Sequence, residues 1–234
     1  MSSSSIGSGA GPAWLYLHGF ASSPASTKAR AFQAWGKARG LAIDALDLRV
    51  PSFENLRFSA IKSRVRAAID GDAPSAPPGP QASARAVLIG SSLGGLTACR
   101  VAEEDARVCA VLAMAPAFRL AERWKSQMAS EAWDAWKRDG FLAVDDYATK
   151  QKARVDFGFV EELERLDVGL PDVRVPVLIV HGRNDEVVDI DRSRAFARGK
   201  RHVRLVEVDD GHELSASIPR ILSEAETFFA PFLT

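Results

Sequence analysis

Ser92, Asp185 and His212 are residues whose types and placement along the chain suit nucleophilic catalysis. Ser92 is the centre of Gly90-Ser91-Ser92-Leu93-Gly94, where the apolar run Val87-Leu88-Ile89 passes through a glycine-framed turn into an amphipathic stretch. This G-x-S-x-G spacing, between a strand and a helix, is that of a nucleophile elbow, which thrusts a serine hydroxyl outward on a strained turn. Glycines flank it because a sharp turn leaves no room for side chains. The helix predicted over residues 93–103 aims its unpaired amides at the turn, where they favour developing negative charge. Ser91 is the rival nucleophile, but it occupies the variable position of the pattern.

A serine hydroxyl needs a base within hydrogen-bond reach, itself oriented by a carboxylate. His212 follows the last strand, behind Gly211, and Asp185 follows the strand before it, so both fall on the face expected for Ser92. Glu186 and Asp189 in the same loop, and Asp209 and Asp210 beside His212, are alternative acids. Asp210 shares a tight turn with His212, which suits it to capping backbone amides. His202 precedes a strand and belongs at the opposite end. His18 and His181 end strands and each precedes a glycine, a setting for hydrogen bonds within turn backbones. A metal site built from those two matches no common ligand spacing, and neither a metal nor any other cofactor is expected.

These residues must be positioned by a parallel sheet. Strands are predicted at residues 13–18, 41–46, 85–91, 108–114, 177–181 and 203–208, with helices at about 25–39, 55–69, 93–103, 192–198 and 218–229. Gly40 suits the left-handed cap of the first helix. Alternation of strand and helix is the unit of an α/β fold with helices on both faces. Residues 71–83, rich in proline, glycine and alanine, read as a solvated spacer at the end away from the elbow. Residues 115–175 show no obvious strands, and a connection of that length demands structure or function. With Trp124, Met128, Trp133 and Trp136, and then Phe157, Val160, Leu163 and Leu166 at helical spacing, it reads as a small helical cap. The inner face of such a cap would line an apolar pocket.

The chain of 234 residues, 47% apolar, is long enough for one large domain, here residues 13–234 behind a flexible leader at 1–12. Thirty basic residues balance thirty acidic ones, so neither nucleic acid nor an anionic membrane is an expected partner. Two cysteines, no signal-like N-terminus and no membrane-length apolar run predict a cytoplasmic protein. The oligomeric state is not readable.

Taken together, Tyr16-Leu17-His18-Gly19-Phe20-Ala21-Ser22-Ser23-Pro24, Gly90-Ser91-Ser92-Leu93-Gly94-Gly95, His181-Gly182-Arg183-Asn184-Asp185 and Gly211-His212 resemble the α/β-hydrolase superfamily. The first stretch resembles in particular the small bacterial YqiA-type esterases. The resemblance runs over residues 13–230 and implies a shortened α/β-hydrolase fold of about six mostly parallel strands, beginning at what would be the third strand of the full fold. Residues 115–175 are longer than the smallest members lead one to expect. It also implies hydrolysis of carboxylic esters or thioesters through a serine acyl-enzyme, with Ser92, Asp185 and His212 at the nucleophile, acid and base positions, and a carboxylesterase acting on small or medium acyl esters is the first expectation. The His18-Gly19-Phe20 turn matches the family's oxyanion loop, which points to the backbone amides of Phe20 and Leu93 as oxyanion donors. A small-molecule ester or thioester is then the expected substrate. A thioesterase, an acyltransferase or a non-catalytic binding protein are the alternatives on the same fold, although the last should lack a triad member. The elbow strand carries no G-x-G-x-x-G cradle, which argues against a dinucleotide-dependent dehydrogenase.

Overall fold

The computed structural model describes residues 11–72 and 85–233. Most of the expected leader and of the proline-rich spacer lies outside the described residues. In chain order the elements are β1 (Ala13–Leu17), α1 (Thr27–Lys37), β2 (Ile43–Leu46), α2 (Phe58–Ala67), β3 (Ala86–Ser91), α3 (Leu93–Glu104) and β4 (Val108–Met114). There follow α4 (Leu120–Gln127), α5 (Ser130–Asp139), β5 (Phe141–Asp146), β6 (Gln151–Asp156) and α6 (Gly158–Leu166). The chain closes with β7 (Val177–Gly182), α7 (Ile190–Ala197), β8 (Val203–Val208) and α8 (Ile218–Phe229).

Six strands form one parallel sheet in the order β2-β1-β3-β4-β7-β8. The inner strands β1, β3, β4 and β7 are largely apolar because both faces are covered, whereas the edge strands β2 and β8 admit Asp44, Arg204 and Glu207, and the period of two sorts each side chain to one face. Trp14, Tyr16, Val87, Ile89, Leu112 and Val180 pack with Phe32, Trp35, Ile221 and Phe229 of α1 and α8. Leu15, Leu17, Leu88, Val111 and Ile179 pack on the other face with α2, α3 and α7 through Ile61, Val65, Leu96 and Phe196. This is a shortened α/β-hydrolase fold, with extra helices forming a cap.

The pairing register brings the strand ends level. Leu17 pairs with Gly90, Ser91 with Met114, Met114 with Val180, and Gly182 with Val208. Loops leaving β1, β3, β7 and β8 therefore emerge along one edge. Helix starts hold them there: Ser26 caps α1 through the Ala29 amide, and Asp189 caps α7 through that of Asp191.

The segment read from sequence as strand-free contains β5 and β6, an antiparallel hairpin, together with three helices. The missed signal is a weak alternation in which Leu142 and Val144 turn toward the core while Phe141, Ala143 and Asp145 face outward. Charged residues on the outer face dilute it, and such a hairpin gains its stability from what it packs against. Here the contacts are specific. Ala148 N–H in the hairpin turn donates to Ala21 O at 3.2 Å, and Asp156 N–H donates to Glu54 O at 2.8 Å. Arg49 pairs with Asp146 at 2.6 Å, the aspartate side chain being 2% exposed. At the far end of the cap, buried Arg100 of α3 binds Asp167 and the Val168 and Gly169 carbonyls.

Candidate active site

Ser92 stands between β3 and α3 with φ 53° and ψ −115°, a positive-φ conformation that a residue with a Cβ adopts only under strain. Three hydrogen bonds hold it: its N–H donates to Met114 O at 2.8 Å, and its carbonyl accepts from Leu96 at 3.0 Å and Ala117 at 3.1 Å. The framing glycines are needed for close approach. A Cβ on Gly90 would collide with the Gly94 carbonyl, and one on Gly94 would collide with that of Leu17. Ser91, the rival nucleophile, is buried at the end of β3 with 5% exposure.

His212 and Asp185 reach Ser92 from the loops after β8 and β7. His212 Nε2 lies 3.1 Å from Ser92 Oγ, and His212 Nδ1 lies 2.8 Å from Asp185 Oδ2. Since a carboxylate only accepts, Nδ1 carries the proton and Nε2 is free to accept from the serine hydroxyl. Asp185 has no exposed side-chain surface, and His212 is 12% exposed. Four N–H groups converge on the carboxylate. Oδ1 accepts from Val187 at 2.8 Å and Val188 at 2.6 Å, Oδ2 accepts from His212, and Oδ2 also lies 3.1 Å from His181 Nε2, whose N–H it shares with the Val188 carbonyl. Burial pushes the Asp185 carboxyl up, but the hydrogen bonds from His181, His212 and the Val188 amide outweigh it and hold the group well below the usual carboxylate range.

The other acids are engaged elsewhere. Asp189 caps α7, Asp209 accepts from Asn184, and Asp210 accepts from the Gly211 and Ser217 amides. Glu186 reaches the site through its carboxylate, which accepts from the His212 amide at 3.3 Å. The Glu186 carbonyl accepts from Arg123 of α4, so the cap touches this loop. On the opposite side, Lys28 of α1 donates to the Glu213 carbonyl at 2.7 Å, bracing the His212 loop. Burial pushes the Lys28 ammonium down, while Glu213, Asp210 and Asp185 pull it up.

Gly19 follows β1 so close to Ser92 that an added Cβ would lie 3.3 Å from the serine Cβ. The Phe20 amide is next along this loop, and the Leu93 amide is the first of α3, one of those a helix leaves unpaired. Among the described residues no turn or loop backbone bond engages either N–H. The Phe20 ring packs on Trp124, Phe53 and Phe159, with centroids 5.1, 5.5 and 6.3 Å away, so cap aromatics meet the loop beside the serine. An open depression of about 340 Å³ on the α1/α8 side, lined by Trp35, Arg39, Leu222, Ser223, Glu226 and Thr227, includes none of these groups.

His18 bonds backbone, as expected from its place before a glycine, through Gly19 O at 2.8 Å and the Leu48 amide at 3.0 Å. His202 reaches Val173 O, away from Ser92. His181 does more than the turn role read from sequence: besides Val188 O at 3.1 Å, it meets Asp185 and, at 2.8 Å, Ser193 Oγ. Because His181 ends a strand and Asp185 lies in the loop after it, no helical spacing rule applies, and nothing in the sequence pointed there. Among the described residues no cluster of three His, Cys, Asp or Glu side chains is placed to hold a metal, and no helix is long and apolar enough to cross a membrane.

Solved structures share this architecture. Est1E from Butyrivibrio proteoclasticus, in a structure with ferulic acid bound, is 21% identical, with 95% of this chain and 89% of that one covered at a TM-score of 0.78. Mouse alpha/beta hydrolase domain-containing protein 10 is 20% identical, with 95% and 91% covered at 0.76. A putative hydrolase from Agrobacterium vitis S4 is 19% identical, with 93% and 88% covered at 0.76. At such identities the likeness is one of fold. No curated protein matches the chain in sequence. A family model does match, over residues 13–230, and the chain belongs to that family, the uncharacterised protein family UPF0227.

Proposed function

We propose that the protein is a serine hydrolase of carboxylic esters with small or medium acyl chains, as the YqiA-type resemblance implies, and that residues 13–234 act as one catalytic unit beneath the cap. The observation that carries this reading is the unbroken contact from Ser92 Oγ to His212 to Asp185 on a strained elbow. In the first half-reaction Ser92 Oγ attacks the acyl carbon as its proton passes to His212 Nε2. The charge gathering on the carbonyl oxygen is met by the Phe20 and Leu93 amides. His212 then gives the proton to the leaving alkoxide, and an acyl-serine and an alcohol result. Water repeats the sequence: His212 takes its proton, the hydroxide oxygen bonds to the acyl carbon, and Ser92 leaves reprotonated with release of the acid. Asp185 keeps its charge throughout and stabilises the imidazolium.

The test is intact-protein mass after exposure to a fluorophosphonate, with Ser92→Ala as control, followed by a panel of esters and thioesters. A single adduct mapped to Ser92, with turnover of p-nitrophenyl esters, is the expected result. An adduct on Ser91, or none, overturns the reading. Preference for thioesters would move the substrate class and leave the chemistry in place.

A further inference from the structure

His181 and Ser193 extend the contact chain behind the acid, giving Ser193–His181–Asp185–His212–Ser92. Both are wholly buried. His181 Nε2 faces two groups that can only accept, Asp185 Oδ2 at 3.1 Å and Val188 O at 3.1 Å, so that nitrogen carries the proton. Nδ1 is left to accept from the Ser193 hydroxyl at 2.8 Å. The ring is thereby set as a donor toward the carboxylate by a hydroxyl on a different element, α7.

We infer that His181 is a positioning residue for Asp185: by donating from Nε2 it fixes the carboxylate rotamer and draws charge from Oδ2, which sets how strongly Asp185 holds the proton-bearing form of His212. The inference rests on the serine-hydrolase reading above. The physical reasoning is that of an outer-shell group: a desolvated carboxylate exposed to one fewer N–H becomes more basic and less well oriented. The depressed carboxyl of Asp185, to which the His181 hydrogen bond contributes, agrees with this.

Other charges act on the same pair and remain constant in the test. Glu186 binds the His212 amide, and Asp210 and Glu213 flank His212 in its own loop. Lys28 acts on Asp185 from α1, and Arg123 of α4 binds the Glu186 carbonyl in the same loop.

Two variants separate positioning from packing. His181→Phe combined with Ser193→Ala removes both side-chain partners and leaves the Val188 carbonyl without the His181 donor, and His181→Gln keeps an N–H donor at a comparable distance from the backbone. Each is checked for folding, and the rate of fluorophosphonate labelling at Ser92 is measured from pH 5 to 9, beside kcat and KM for a p-nitrophenyl ester.

The double variant is expected to label, and to turn over, about 10- to 100-fold more slowly with KM changed less than twofold. Its acid limb is expected to move to higher pH by about one unit. His181→Gln should recover most of the rate and return the limb. A folded double variant with the wild-type limb overturns the inference, as does a His181→Gln variant no better than the double variant.

Should the double variant not fold, ¹⁵N chemical shifts of the His181 ring in the unaltered protein at pH 8 decide. A protonated Nε2 and a bare Nδ1 support the inference, and the opposite tautomer overturns it. Absence of Ser92 labelling in the unaltered protein would instead refute the serine-hydrolase reading, so the two failures are distinct.

Discussion

Gly94, in the first turn of α3, lies directly against the backbone carbonyl of Leu17 at the end of β1, with no space for a Cβ between them. The contact docks the helix after Ser92 onto the strand that leads to Gly19 and Phe20. The elbow and the loop facing it are one packed unit. Gly94→Ala should therefore separate them, destabilising the protein by about 1–3 kcal/mol or preventing folding. Urea unfolding of this variant beside Gly140→Ala measures the effect. At Gly140 an added Cβ meets nothing within 4 Å, and its φ of 82° supplies only the backbone penalty. Equal losses at the two positions would show that close packing is not what Gly94 provides.

On the proposed mechanism, the strain at Ser92 sets activity against stability. Ser92→Ala should fold and lose at least about 10³-fold in turnover. Ser92→Gly should lose the same activity yet gain about 1 kcal/mol, because glycine relieves a backbone conformation that costs roughly 1–3 kcal/mol for other residues. Denaturation midpoints of the three proteins test this ordering.

Asp185→Asn should lower turnover by about 10⁴-fold with the fold intact, since a neutral amide presents the wrong partner to His212 Nδ1. Asp189→Asn and Asp210→Asn change caps and should alter stability more than rate. A folded Asp185→Asn enzyme with more than a tenth of the original kcat would move the acid elsewhere, Glu186 being next in line through its contact with the His212 amide.

The pH profile should have one protonation on its acid side. Asp185 is held below the usual carboxylate range, so its ionised form contributes stability above its unfolded value of about 3.9 and loses it as pH falls through the lower folded value. It stays charged across the pH range where imidazoles titrate. Log kcat/KM against pH should then fall with a slope of one on the acid side, and chelator should change nothing. A slope of two would mean that the acid titrates with the base.

Asp146 ties the cap hairpin to the loop of the proposed oxyanion donor. Its carboxylate accepts from Arg49, Thr149 and the Ala148 amide, and Ala148 in turn donates to the carbonyl of Ala21, the residue after Phe20. Asp146→Ala leaves Arg49 and Thr149 without this acceptor and should cost about 1.5–3 kcal/mol of stability. Freed from its tether, the Phe20 loop should also lower kcat more than it raises KM. Unchanged kinetics in a destabilised variant would confine Asp146 to holding the cap.

What the sequence determined by itself is local. Runs such as Val87-Leu88-Ile89 and Val177-Leu178-Ile179-Val180 declare buried strands because both faces are covered, and Gly90 and Gly94 declare a tight strand-to-helix turn because nothing larger fits. Alternation of such strands with helices leaves few topologies, which is why six parallel strands and the common edge of Ser92, Asp185 and His212 were legible.

What the tertiary structure decided are relations across that edge. The sequence offers five candidate acids, Asp185, Glu186, Asp189, Asp209 and Asp210; the adjacency of β7 and β8 brings the two loops together, and hydrogen bonds within the β7 loop turn Asp185 to the imidazole nitrogen. The hairpin of β5 and β6 was illegible because its alternation is weak, and its order comes from Ala21, Glu54 and Arg49 on distant loops. His181 looked like a turn residue because its partner Ser193 belongs to another element. Its bond to Asp185, four residues on, forms only when the loop after β7 folds back over the strand end. Side-chain hydrogen bonds of this kind depend on distances of a few tenths of an ångström, which periodicity and spacing do not encode.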